Sequence, residues 1–433
     1  MSAFDLLGGR LRIRQLSSVV LVAALAAGLA ACGSSSTTGT TVPTSSDGKT
    51  KLTIYSSLPL GGAPDSIADA VLRGEKLAFK ELAPTAEING FEIQFVSLFS
   101  SSPEGPGASN PAQVVANARK AAQDKTTAFY LGELGSGDTQ SVLPILNYSG
   151  IPQISSTNTY PGLTTTDPGT KPGEPEEYYP SGTRTYARIV PRDTIQAAAM
   201  VWVMREDGCK SLALWDNMSV YGAGLARDIE LSAKLAGIDV VDRQGVASGD
   251  TSIAAKAAAV SSDCFAWAGT NGSQGTGVAV FDAVGSTNPN IKLYGPDGLA
   301  TGEFTNPAQG GISPAIAPRV KITNPNIGLS GLNLGLSPLL AKDAQLNPYE
   351  VYGYEAMALA LDTIKRAGKG ANDRAQIVKT LFSTKDRRSV LGTYSIDPSG
   401  DTTITDYGLY VVKAGMPSYS RTIKLDPSLL AKR

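Results

Sequence analysis

The sequence predicts an α/β protein of two successive lobes, each a parallel sheet covered by helices on both faces. Three observations predict it. Short apolar, strand-like runs alternate with helix-like segments, which is the periodicity of βαβ units. The alternation breaks once, at the Pro-, Gly-, Thr- and Glu-rich stretch 164–182, and then starts again. The chain has 433 residues, 42% hydrophobic and 18% charged, enough for two lobes with ordinary cores.

In the first block the expected strands are 52–57 (LTIYSS), 92–99 (EIQFVSLF), 127–134 (TAFYLGEL) and 151–156 (IPQISS). Helices are expected at 66–82, 113–124 and 143–148, with a polar Pro/Gly loop at 100–110. The segment 164–182 reads as a surface insertion. The second block offers helices at 194–206, 222–236, 253–260 and 275–284. Its strands are 211–217, 239–246, 264–270 and 291–298. The two blocks share a plan but no sequence repeat. The clearest helix is 347–368: Asn347 can cap it, Pro348 suits its first turn, and Gly368 can end it. Tyr354, Met357, Leu361 and Ile364 recur at helical spacing, as one stripe of ordinary core.

The amino end has its own signature. Arg10, Arg12 and Arg14 precede a short apolar run, 16–31, which is how a secretory signal reads. That run is shorter than the ~20 apolar residues of a membrane-spanning helix. It closes on Leu29-Ala30-Ala31-Cys32, which resembles a bacterial lipobox. The resemblance implies cleavage after residue 31 and acylation of Cys32. A Ser/Thr/Gly-rich stretch follows to residue 50 and reads as a flexible tether. The expected location is therefore the cell membrane, lipid-anchored and facing the periplasm or the exterior.

Histidine is absent. That excludes Ser-His-Asp and Cys-His catalysis and His-ligated metal sites. No Ser-Lys or paired-carboxylate motif is recognisable. GTNGSQGTG (269–277) resembles a phosphate loop only loosely, since it lacks the lysine. The formal net charge of −1, with no long basic run, gives no reason to expect nucleic acid. Neither an enzyme nor a cofactor is expected. After Cys32 two cysteines remain, Cys209 and Cys264, each at the start of a strand-like run. In an exported protein a disulfide is the expected pairing, and two free buried thiols are the alternative. Closing that loop would contribute about 4 kcal/mol in the chain-entropy model.

Four stretches, in order, carry a family resemblance: ELGSGDTQSVLPILNYSGIPQISSTNTYPGLT (133–164), RIVPRDTIQAAAM (188–200), DNMSVYGAGLA (216–226) and YGPDG (294–298). They resemble the solute-binding lipoproteins of branched-chain amino-acid ABC transporters, which are type I periplasmic binding proteins. The resemblance spans roughly residues 52–415. It implies two Rossmann-like lobes, joined by three crossings and closing over a hinged cleft. Lobe one would comprise 51–190 and 323–385, lobe two 191–322 and 386–415, and a tail 416–433. The implied partners are a small-molecule ligand and the permease and ATPase subunits of an importer, with the protein a monomer.

Site residues carry over one at a time. Ser136 and the turn Thr157, Asn158 and Thr159 match the family's hydroxyl and amide donors for a ligand carboxylate, at strand ends and helix starts. The same groups serve helix capping. Tyr221 matches an aromatic that closes over the ligand from lobe two. Asp297 matches the acid that holds the ligand ammonium. Asn271 falls where a relative has a second aromatic, a departure that bears on ligand identity, and Asp138 stands where the family has a small residue, placed either to repel a carboxylate or to face solvent. Trp267, in mid-strand, reads as core. Besides an amino acid, the shape admits urea, short amides or aromatic acids, and a sensor signalling to a membrane receptor or kinase would share the fold.

Overall fold

The computed structural model describes residues 48–431, apart from 63–65, 104, 273, 326–327, 329–330 and 343–346. The expected signal, Cys32 and most of the tether lie outside the described residues. No helix among the described residues is long and apolar enough to cross a membrane.

Two large sheets organise the chain. The first runs in spatial order Glu87–Ile88, Phe91–Phe99, Lys51–Leu58, Thr127–Leu131, Gln153–Ser155 and Tyr186–Arg188. It is parallel except for the short edge strand Glu87–Ile88. The second runs Asp239–Gly245, Ser211–Asp216, Cys264–Ala268, Lys292–Gly295, Val320–Asn324, Tyr407–Lys413 and Met416–Ile423. Its first five strands are parallel and its last two antiparallel. The central strands of both sheets are buried, as parallel strands covered on two faces must be.

Local chemistry sets the helix starts. Ser66, Asn110, Ser219, Asn347 and Asp373 each accept a backbone N–H of the following helix's first turn. Such caps contribute about 1 kcal/mol apiece. The helix Pro348–Ala367 has the expected buried stripe, with Tyr354, Met357, Leu361 and Ile364 at most 3% exposed. It crosses the helix Ile67–Leu82 at close range because both carry glycine at the crossing. A Cβ on Gly353 would stand 2.1 Å from the Val71 carbonyl oxygen, and one on Gly74 1.9 Å from that of Glu350.

The structure departs from expectation at several places. The helix expected at 143–148 is Ser136–Tyr148, two turns longer at its start, because GSGD forms its first turn rather than a free loop. The loop 100–110 contains a small hairpin, Ser101–Ser102 with Gly105–Ser109. Strand Tyr186–Arg188 was not expected, because three residues give no period. The stretch 164–182 is more than a surface excursion: Tyr178 and Tyr179 are buried with Leu143, Tyr160 and Tyr186, and Glu174 is 2% exposed beneath them.

The expected lobe boundaries shift as well. Residues 416–423, expected in a tail, form the edge strand of the second sheet. Val390, Leu391, Tyr394 and Ile396, expected in lobe two, are buried in the core of lobe one. They are held there by the buried pair Arg387–Glu355 (2.7 Å) and by the Tyr394 hydroxyl donating to Glu355. The chain crosses between sheets three times: after Tyr186–Arg188, after Val320–Asn324, and between Tyr394 and Tyr407.

Candidate ligand-binding cleft

The carboxyl ends of parallel strands are where ligands meet such sheets, because helix starts and their unpaired N–H groups gather there. In lobe one this edge brings together Gly132–Ser136 and Ser155–Thr159. Gly135 supplies no side-chain cap to the helix Ser136–Tyr148, which leaves the first-turn N–H groups open to an incoming acceptor. Ser136 is 3% exposed, and its Oγ accepts the Tyr160 N–H at 3.4 Å. The Thr157 hydroxyl donates to the Leu134 carbonyl at 2.8 Å and retains its acceptor lone pairs. Thr159 is buried; its carbonyl accepts the Asp193 N–H at 2.8 Å, and its hydroxyl lies against the Asp193 carboxylate. Asp138 borders this edge, and burial raises its pKa, with a Ser109 hydrogen bond opposing.

Asn158 is held within this edge. Its Nδ2 donates to the carbonyls of Glu133 and Leu134, both at 2.9 Å. Its Oδ1 accepts the Thr139 hydroxyl at 2.6 Å and the Tyr186 hydroxyl at 3.3 Å. Its backbone is spent too, on Ser155 and Arg188. With its polar groups engaged in this way, Asn158 shapes the loop.

Lobe two contributes an acidic edge. Tyr221, in the first turn of helix Val220–Ala236, donates its hydroxyl to Asp297 Oδ1 at 2.8 Å. The expected aromatic and the expected acid therefore form one unit. Asp297 follows strand Lys292–Gly295 and is 7% exposed. Burial raises its carboxyl pKa, with the Tyr221 and Gln196 hydrogen bonds opposing. Asn271 does not join them: its Oδ1 accepts the Val278 N–H at 3.0 Å and its carbonyl the Gly277 N–H at 3.1 Å. It is committed to starting the helix Thr276–Thr287. Trp267 is core, as expected.

Two residues of the site went unread in the sequence. Tyr349, in the first turn of helix Pro348–Ala367, donates across the lobes to the Asp297 carbonyl at 2.9 Å. Asp193 opens the helix Asp193–Glu206 and is fully buried, with the Thr159 hydroxyl against its carboxylate. Burial, then Asp228, hold its pKa well above the usual carboxylate range, with Asp297 adding to the effect. In sequence, an Asp opening a helix reads as a capping residue, which hid Asp193. Among the described residues no cluster of acids and cysteines is arranged to hold a metal. Cys209 and Cys264 lie at the opposite end of the second sheet, with Cα atoms 5.9 Å apart, a separation a disulfide spans.

The cleft thus sets open N–H and hydroxyl groups on one lobe against two acids and a tyrosine on the other. A two-lobed clamp with such poles, and three chain crossings as its hinge, is the architecture of a solute-binding protein. A family model described as periplasmic binding protein matches residues 52–315, and the chain belongs to that family. Its fold is the type I form. The Leu/Ile/Val-binding protein BraC3 of Rhizobium johnstonii is 24% identical over 369 residues, covering 84% of this chain and 92% of its own. The crystal structure of a leucine-binding protein LivK from Thermotoga maritima superposes with a TM-score of 0.70 at 20% identity, over 86% of this chain and 99% of its own. A solute-binding protein of an ABC transporter from Rhodopseudomonas palustris HaA2, in complex with p-hydroxybenzoic acid, gives 0.69 at 18% identity, over 87% and 98%. The family binds solutes outside the cytoplasm rather than transforming them.

Proposed function

We propose that this protein captures an amino acid, branched-chain or closely related, by lobe closure and delivers it to an ABC permease. The observation that carries the reading is the pair of buried acids, Asp297 and Asp193, set opposite the open helix start at Ser136. An ammonium group satisfies acids that an uncharged or purely anionic solute leaves buried without a cation. A carboxylate suits the other pole, where the first-turn N–H groups and the Ser136 hydroxyl can donate to it. The Leu/Ile/Val-binding relatives support the same ligand class. Structural neighbours that hold aromatic acids offer the competing reading, and the acidic pole speaks against it. Thermal unfolding of the full-length protein separates the two. An amino acid at 100 times its Kd is expected to add about 2.7 kcal/mol of stability. Stabilisation by benzoate but by no amino acid would reject the reading.

The same proposal includes anchoring through an acylated Cys32 and a bond between Cys209 and Cys264. Intact mass spectrometry of the mature protein reads both at once. It is expected to show a diacylglyceryl adduct on an amino-terminal Cys32 and a two-hydrogen deficit that a reductant restores. An unmodified amino terminus upstream of Cys32 would remove the anchor, and a full thiol count would remove the bond.

A further inference from the structure

The stretch 164–182 leaves lobe one and lies as a strap across the helix Val220–Ala236 of lobe two. Arg227 on that helix donates Nε to the Gly169 carbonyl at 2.6 Å and Nη2 to the Tyr160 hydroxyl at 3.3 Å. Tyr160 in turn donates to Glu174 of the strap at 2.6 Å. The helix presses so closely that a Cβ on Gly224 would stand 2.4 Å from the Tyr160 ring. One turn after Gly224, Asp228 meets Gly169 in the same manner: a Cβ there would stand 2.1 Å from Asp228 Oδ1.

Asp228 is 2% exposed, and neither carboxylate oxygen has a hydrogen-bond partner. The charged groups around it are few. Asp167 approaches from the strap, Arg227 from its own helix, and Arg192 and Asp193 from the first crossing. Arg192 is already occupied by Asp167 at 2.8 Å and Asp401 at 3.0 Å. Arg227 is turned to Gly169 and Tyr160. A carboxylate without a donor is costly to bury ionised, and a proton removes that cost.

We propose that the strap is a proton-dependent latch, which closes on the helix Val220–Ala236 with Asp228 protonated and is released when Asp228 ionises. Burial pushes the Asp228 carboxyl up to about 8, with Asp167 adding and Arg227 and Arg192 opposing. The sign follows from that direction. A carboxyl raised on closure makes closure take up a proton, so the contact is fully favoured below pH about 4, weakens as pH rises, and has lost this contribution by about 8. By reciprocity, a ligand that closes the lobes promotes protonation of Asp228. The proposal concerns the lobe contact alone and holds whatever solute the cleft takes.

Hydrogen exchange of the ligand-free, full-length protein tests it, with rates corrected for the intrinsic effect of pH. Protection of the strap amides is expected to fall by up to about tenfold for each pH unit between about 4 and 8, and to level off above 8, in the native protein. In Asp228→Asn it is expected to stay constant, because the amide has no charge to expose. Asp228→Ser, smaller and equally uncharged, is expected to do the same and serves if the amide variant folds poorly. Asp193→Asn is expected to keep the native pH dependence in the strap. Strap protection that does not vary with pH in the native protein overturns the proposal. So does a pH dependence that survives in both Asp228 variants, or one that Asp193→Asn alone removes.

Discussion

Replacing Asp401 by alanine is expected to lower the stability of the protein by about 3–5 kcal/mol, the cost of leaving a buried charge unpaired. The charge is that of Arg188, which is fully buried, and Asp401 is 2% exposed. Arg188 Nε meets Asp401 Oδ1 at 2.7 Å. The same guanidinium donates to the carbonyls of Asn158 at 3.1 Å and Tyr160 at 2.9 Å, and to the Thr164 hydroxyl. Asp401 also accepts from Arg192 at 3.0 Å and from Thr164 at 2.9 Å. One carboxylate thereby ties the first crossing to the third and to the root of the strap. Removing it strands a guanidinium that has no route to water. The measurement is the urea midpoint, with an unchanged slope marking a change in stability rather than in the unfolded state. An exposed pair such as Arg366 with Asp362, 2.8 Å apart, is expected to yield less than about 1 kcal/mol. Equal losses at the two sites would show that the hinge network carries no special weight.

Asp297→Asn is expected to weaken amino-acid binding by about 2–5 kcal/mol, as truncation of a buried charge partner does. The amide keeps the shape and one acceptor for the Tyr221 hydroxyl, so the fold is expected to hold its native unfolding midpoint. What is lost is the charge that, on the proposed reading, faces the ligand's ammonium. Calorimetric titration reads the loss directly. Binding of an aromatic monoacid has no such dependence, and an unchanged affinity for amino acids would remove Asp297 from the site.

The alternation of strands and helices was legible because each period is set locally. Capping residues such as Ser66 and Asn347, and the Gly368 stop, stand beside the runs they bound. The misreadings share a different cause. GSGD looks like a turn by composition, and only the depth of Ser136 and Thr139 makes it a helix start. Three residues at 186–188 carry no period, and their place as an edge strand comes from pairing with Gln153–Ser155. Asn158 and Asn271 sit where ligands bind in such folds, yet Asn158 is taken up by its loop and Asn271 accepts N–H groups of the helix start just after it. Asp193 and Tyr349 lie about 100 and 50 residues from Asp297, and only tertiary structure brings the three together. The strap reads as surface from its prolines and glycines. Its buried tyrosines and Glu174 bond to one another, to Leu163 and Lys171, and to the distant Gln140 and Tyr160.

The central claim is that the cleft holds a zwitterion by opposite poles. Calorimetric titration of the full-length protein with leucine, isoleucine, valine and p-hydroxybenzoate tests it most directly. The account predicts saturable one-to-one binding of at least one of the amino acids, abolished or strongly weakened in Asp297→Asn, and no binding of the aromatic acid. Saturable binding of p-hydroxybenzoate with none of any amino acid would contradict it.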